Sequence, residues 1–135
     1  MKLWEPSKRF EDLELWQTAR ELAKKVKVLT ERELFSRDFR FRDQTNASAG
    51  SVMDNIAEGF ERSSRLEFVN FLSIAKGSSG EVRSQLYRAI DYNYVKEDDI
   101  LPLIKEYETL DTKISGFMAY LNKSIYKGQK FKERT

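Results

Sequence analysis

Carboxylates have the widest chemical reach in this chain. Glu58, Glu67 and Glu81 fall on helical segments that a bundle could bring face to face. Paired carboxylates of this kind hold two iron or manganese ions in some bundles, but that site also takes a histidine from a Glu-x-x-His step on each of two helices. The chain has no histidine and no cysteine. It therefore lacks the commonest general base, the commonest transition-metal ligand, thiolate chemistry, disulfides and cysteine zinc sites. The dimetal reading is set aside, and Glu58 and Glu81 are expected to pair with arginine or backbone donors near a helix interface. No catalytic residue, metal or cofactor is assigned, and the chain is expected not to be an enzyme.

Asn55 lies among apolar neighbours in Asn55-Ile-Ala-Glu-Gly. A buried amide there can fix register and oligomeric state at some cost in stability, or it could hold a ligand in a cleft. With no nucleophile or base close by in sequence, the structural role is preferred. Gly77-Ser-Ser-Gly80 has neither the strand before it nor the Gly-Lys-Ser/Thr ending of a phosphate loop. Close helix contact is the expected reason for its glycines. Asn55, Glu58, Gly59, Gly77 and Glu81 are thus expected to hold the fold or subunit contacts.

Bases are the remaining candidates. Arg20, Lys24 and Lys27 mark one stripe of a first helix, with Lys25 beside them, and Arg37, Arg40 and Arg42 cluster at the start of a second. Residues 123–135 carry Lys123, Lys127, Lys130, Lys132 and Arg134 against Glu133 alone, an excess larger than the +2 of the whole chain. Lys or Arg at a phosphate releases counterions, and Tyr126 and Phe131 could stack on bases. The candidate nucleic-acid contacts are Arg20, Lys24, Lys27, Arg37, Arg40, Arg42, Lys127, Lys130 and Lys132. The competing explanation is an ordinary solvated face, with Glu21 pairing Lys25 and Lys27 pairing Glu31 at i,i+4.

What must position these residues is helical. Two prolines, six glycines and 34% charged residues in 135 describe a soluble helical chain with one core. No apolar run nears the roughly 20 residues of a membrane span. The N-terminus has no signal-peptide core, so a cytoplasmic location is expected.

Leu13, Trp16, Ala19, Leu22, Ala23, Val26 and Leu29 predict a helix over 11–32. Ser36 is the expected N-cap of a helix over 37–62, whose face uses Phe39 or Phe41, then Ala49, Val52, Ile56 and Phe60. Gly50 costs that helix about 1 kcal/mol, so a close neighbour is expected to compensate. Ser64-Arg-Leu-Glu67 has the form of a capping box and opens a helix ending near Tyr92-Asn93, with Phe68, Phe71, Leu72, Ala75, Val82, Leu86 and Ile90 inward. Leu103, Tyr107, Leu110, Ile114, Phe117 and Leu121 repeat a heptad seam. Asp98 and Asp99 would cap that helix, placing Pro102 near the tolerated first turn.

The expected architecture is an all-α, antiparallel up-and-down four-helix bundle over 11–124. An N-terminal extension (1–10) precedes it, and a partly disordered basic tail (125–135) follows. Trp16, Phe68, Phe71 and Phe117 are expected in the core; Trp4, Phe10, Tyr92 and Tyr94, at helix ends, could be shared with another subunit.

Phe10-Glu-Asp-Leu-Glu-Leu-Trp-Gln, Asn55-Ile-Ala-Glu-Gly and Phe71-Leu-Ser-Ile-Ala-Lys-Gly-Ser together resemble the bundle proteins encoded in intervening sequences of bacterial 23S ribosomal RNA genes. The likeness runs from about Phe10 to Leu121. It implies a ring-like homopentamer. The chain is similar, too, to the accessory protein of diversity-generating retroelements, which implies association with a reverse transcriptase and nucleic acid. Two departures lower the charge of the second helix. Gln44 is followed by Thr45, Asn46 and Ala47 where relatives often carry two bases, and Asp54 replaces a small neutral residue. The expected function is a non-enzymatic, oligomeric nucleic-acid-binding or ribonucleoprotein accessory scaffold, RNA and DNA both remaining open. The alternative is a module that binds a partner protein without nucleic acid. No membrane is expected.

Overall fold

A computed structural model describes the backbone of residues 8–134 and side chains as far as Ile125. After a 3₁₀ turn at Phe10–Asp12 come α1 (Glu14–Thr30), a short α2 (Glu33–Arg37), α3 (Phe39–Glu61), α4 (Arg65–Asp91) and α5 (Glu97–Arg134). The four long helices form a closed ring in which α1 and α4 each pack against α3 and α5, and α1 does not pack on α4. An all-helical bundle is therefore what the apolar periodicity produces. The tightest pairing is α3 with α4, and the loosest is α1 with α5.

The inward face of α1 is Ala19, Leu22, Val26 and Leu29. Trp16 is only half-buried, with its ring set edge-on to Phe10 at 5.1 Å, so it caps the core instead of filling it. Phe71 is also half-buried, whereas Phe68 and Phe117 are buried and meet edge-to-face at 5.3 Å. Every member of the expected α5 seam, from Leu103 to Leu121, is buried.

The second helix does not start after Ser36. Ser36 Oγ donates back to Glu33 O at 2.9 Å and closes the short α2. The N-cap of α3 is Asp38, whose Oδ1 accepts from the Phe41 amide at 3.3 Å while Oδ2 accepts from Tyr94 Oη at 2.8 Å. A carboxylate satisfies an orphan amide at least as well as a hydroxyl. Ending α2 at Arg37 also plants Phe35 in the core, stacked on Phe41 at 5.1 Å. Phe41, and not Phe39, is the inward residue; Phe39 is 66% exposed.

Ser64 caps α4 as its sequence predicts, Oγ accepting from the Glu67 amide at 3.1 Å, and the helix runs unbroken through Gly77 and Gly80. Asn93, with φ 60°, turns the chain towards α5. Tyr92 and Tyr94 then fold back onto Phe41 and Phe35, so within the chain these aromatics complete a core end. Trp4 lies outside the described residues. α5 starts at Glu97, which puts Pro102 deeper than the first turn, on an exposed side. Nor does α5 end near Ser124: its backbone stays helical to Arg134. Lys, Gln, Glu and Arg dominate that stretch and are good helix formers.

Candidate functional site

The residues singled out around Asn55 sit on the α3/α4 contact. Asn55 Nδ2 donates to Ser51 O at 2.8 Å and to Ser51 Oγ at 2.9 Å, and Ser51 Oγ meets Ser78 Oγ across the helices at 2.8 Å. One turn away, Ser48 Oγ approaches Glu81 Oε2 at 3.5 Å. This polar ladder locks α3 against α4, and it leaves no cleft at Asn55 for a ligand. Glu81 thus faces a serine, not an arginine. Glu58 pairs with Arg62 at 2.8 Å, and Glu67 turns back to Ser64. The three carboxylates do not converge. Among the described residues no group of three His, Cys, Asp or Glu could hold a metal.

The glycines divide. A Cβ on Gly59 would stand 2.8 Å from Phe71 Cβ and 2.9 Å from Phe68 Cδ1, so α3 and α4 approach there as closely as expected. Gly50 and Gly77 have nothing within 4 Å of such a Cβ. The close intrachain contact expected at those two positions does not exist.

The bases separate into surfaces that do not meet. On α1, Lys24 pairs with Glu21 at 3.1 Å and Lys27 with Glu31 at 3.4 Å, while Arg20 lies over the Trp16 ring at 5.4 Å. Lys25, expected to pair with Glu21, instead reaches Glu106 on α5 at 2.8 Å. Arg37 pairs with Glu33 at 2.7 Å; Arg42 bonds Asp43 at 3.0 Å and covers Phe39 at 5.0 Å. Arg40 is exposed. Arg88, which the sequence pattern did not single out, packs over Phe41 at 4.3 Å. At the same end Arg32 pairs with Asp99 at 3.2 Å.

The tail belongs to the other end. Arg65, in the first turn of α4, hydrogen-bonds Ser124, which fixes where α5 passes the bundle's far edge. A 23-residue α3 spans about 35 Å, so the tail and the Arg37–Arg42 cluster lie roughly that far apart. The side chains of Lys127, Lys130 and Lys132 lie outside the described residues. Lys123, Lys127, Lys130 and Arg134 recur at steps of four, three and four along a helical backbone, the spacing that places residues on one face.

One polar group escaped the sequence pattern. Asp111, 7% exposed, is buried between α4 and α5 with Arg83 Nη2 3.2 Å from its Oδ2. Its only sequence signal was an acid four residues after Tyr107, on the edge of the heptad seam. Burial pushes its carboxyl above the ordinary range, and burial likewise raises the Tyr107 hydroxyl.

A family model described as 23S rRNA-intervening sequence protein matches residues 11–116. The chain belongs to that family. No curated protein matches the chain. The matched span covers α1 to α4 and the first half of α5, so the Asn55–Ser51–Ser78 ladder, Gly59 and Asp111 are all inside the family domain. The basic stretch after Ser124 is outside it. No helix among the described residues is long and apolar enough to cross a membrane.

Proposed function

We propose that this member of the 23S rRNA-intervening sequence protein family is a non-enzymatic, cytoplasmic accessory scaffold that binds nucleic acid through the basic helical end of α5. The observation that carries the reading is the continuous α5, whose Lys123, Lys127, Lys130 and Arg134 follow helical spacing beyond the bundle's edge. Among the other candidates, Lys24, Lys27, Arg37 and Arg42 pair with acids. Of the nine candidate contacts, the proposal keeps Lys127, Lys130 and Lys132 and gives Arg20, Lys24, Lys27, Arg37, Arg40 and Arg42 a solubilising role.

Self-association, as the ring-like homopentamer, is part of the proposal. Gly77 is open and outward on α4, and exposed Leu66, Ile74 and Tyr87 share that outer side. Small residues flanked by large apolar ones let a second helix approach closely. Sedimentation velocity tests this part, a monomer at tens of micromolar counting against it.

Anisotropy titration of a labelled RNA hairpin and a matched DNA duplex tests the binding. Affinity is expected to fall with salt, and truncation after Ile125 is expected to lower the log–log salt slope by up to about 0.9 per lost cation on duplex DNA. Charge reversal at Lys24 and Lys27 is expected to change affinity less than about threefold, by the weak worth of exposed pairs. No binding at tens of micromolar refutes the nucleic-acid reading and leaves the partner-protein module, for example one docking on a reverse transcriptase.

A further inference from the structure

The α4/α5 seam holds buried polar groups that the binding reading does not use. The carboxylate of Asp111 makes no well-formed hydrogen bond, although the fully buried Ser79 hydroxyl on α4 lies close enough to act on it, and the buried hydroxyl of Tyr107 on α5 has no partner. The nearest cation is Arg83 at 3.2 Å, and its side chain is 36% exposed, so water competes for its charge. Lys76 on α4 and Glu108 on α5 act on Asp111 from further away. On the α1 side of α5, Glu14 pairs with Lys113 and Lys25 with Glu106. A carboxylate buried this far is costly to keep ionised, and the partly exposed Arg83 and the Ser79 hydroxyl compensate it only in part.

We propose that Asp111 is a proton-binding site that tightens the α4/α5 seam as the pH falls. The proton is taken from water onto one Oδ. The new O–H donates to Ser79 Oγ, and the partly exposed Arg83 loses its anionic partner. Burial is the largest influence on the group and disfavours the anion; Ser79, Arg83 and Lys76 oppose it and do not overcome it. The folded value therefore lies above the unfolded one of about 3.9. Native protein holds the proton where unfolded chain has lost it. The stabilisation is complete below the unfolded value and is lost as pH rises through the folded one, the reverse of an ordinary salt-bridged aspartate.

Carbon-13 carboxyl resonances of the labelled full chain, titrated from about pH 7.5 to about pH 3, read the site directly. Asp111 is expected to titrate above the ordinary aspartate value of about 3.9. Arg83→Met is expected to move it further up by removing a cation that holds it down. In urea, the midpoint of Asp111→Asn relative to wild type is expected to rise with pH, because the amide stays neutral at every pH. A wild-type Asp111 that titrates at or below about 3.9 overturns the proposal, whether or not the variants fold. So does a midpoint gap that is the same at both ends of the range.

Discussion

Gly59→Ala is the sharpest perturbation of this bundle, because two effects of known sign compete at one carbon. Alanine gains about 1 kcal/mol over glycine in a helix interior. Against that, the new Cβ would stand 2.8 Å from Phe71 Cβ and 2.9 Å from Phe68 Cδ1. The Phe68 ring can swing by a few tenths of an ångström. Phe71 Cβ cannot, since it is fixed to the α4 backbone, so α4 must back away from α3 along their shared contact. Overpacking of this kind costs about 1–3 kcal/mol, and a contact anchored in backbone belongs at the upper end. The net expectation is a loss of about 1–2 kcal/mol. With a urea slope of about 2 kcal/mol/M, the midpoint followed by far-UV circular dichroism should drop by roughly 0.5–1 M. An unchanged or higher midpoint at the same slope would falsify the claim that the α3/α4 separation is set at Gly59.

Gly77→Ala should have the opposite sign: with nothing within 4 Å, it is expected to raise the midpoint by the equivalent of about 0.5–1 kcal/mol. If the outer side of α4 is a subunit contact, the same variant weakens self-association in sedimentation while its monomer is stabilised. Asp38→Ala removes both the α3 cap and the Tyr94 hydrogen bond. It is expected to cost about 1–2 kcal/mol in urea, with Asp38→Asn recovering most of the cap. Tyr107→Phe deletes a buried hydroxyl that has no partner, so it should be neutral or slightly stabilising in thermal unfolding. A loss above about 1 kcal/mol would reveal a partner for that oxygen.

Much of the fold was legible because helix periodicity is a local property. The α5 seam from Leu103 to Leu121 and the Ser64 cap could be read within a few turns of chain. The α2/α3 junction could not. Ser36 and Asp38 are both plausible caps, and the choice depends on Tyr94, 56 residues away, reaching back to Asp38. The glycines failed for a related reason. Gly50, Gly59 and Gly77 look alike in sequence, but a glycine's role is decided by which side of the helix faces a neighbour, and only Gly59 faces one. Asp111 was missed because an acid on the edge of an apolar stripe is usually solvated, and the tight α4 contact covers this one.

The same limit governs the candidate interface. Charge along a sequence counts bases, whereas a phosphate chain responds to the field left after each base meets its nearest acid. Stripes on α1 disappear from that field because Glu21 and Glu31 sit at helical spacing from Lys24 and Lys27. Arg37 and Arg42, at the α2/α3 junction, meet the local acids Glu33 and Asp43. In the proposed reading the last turns of α5 are the place where bases outnumber acids along the sequence. Glu133 is the only acid after Asp111, and the helix carries those bases away from the acidic end. Continuous helix also changes what the tail can do. A disordered tail must be ordered on binding and loses affinity to that cost, whereas a backbone already helical to Arg134 does not carry it. A helix-breaking Gln129→Pro should therefore weaken binding with every charge still in place, and equal affinity would show that charge alone, without the helix, suffices.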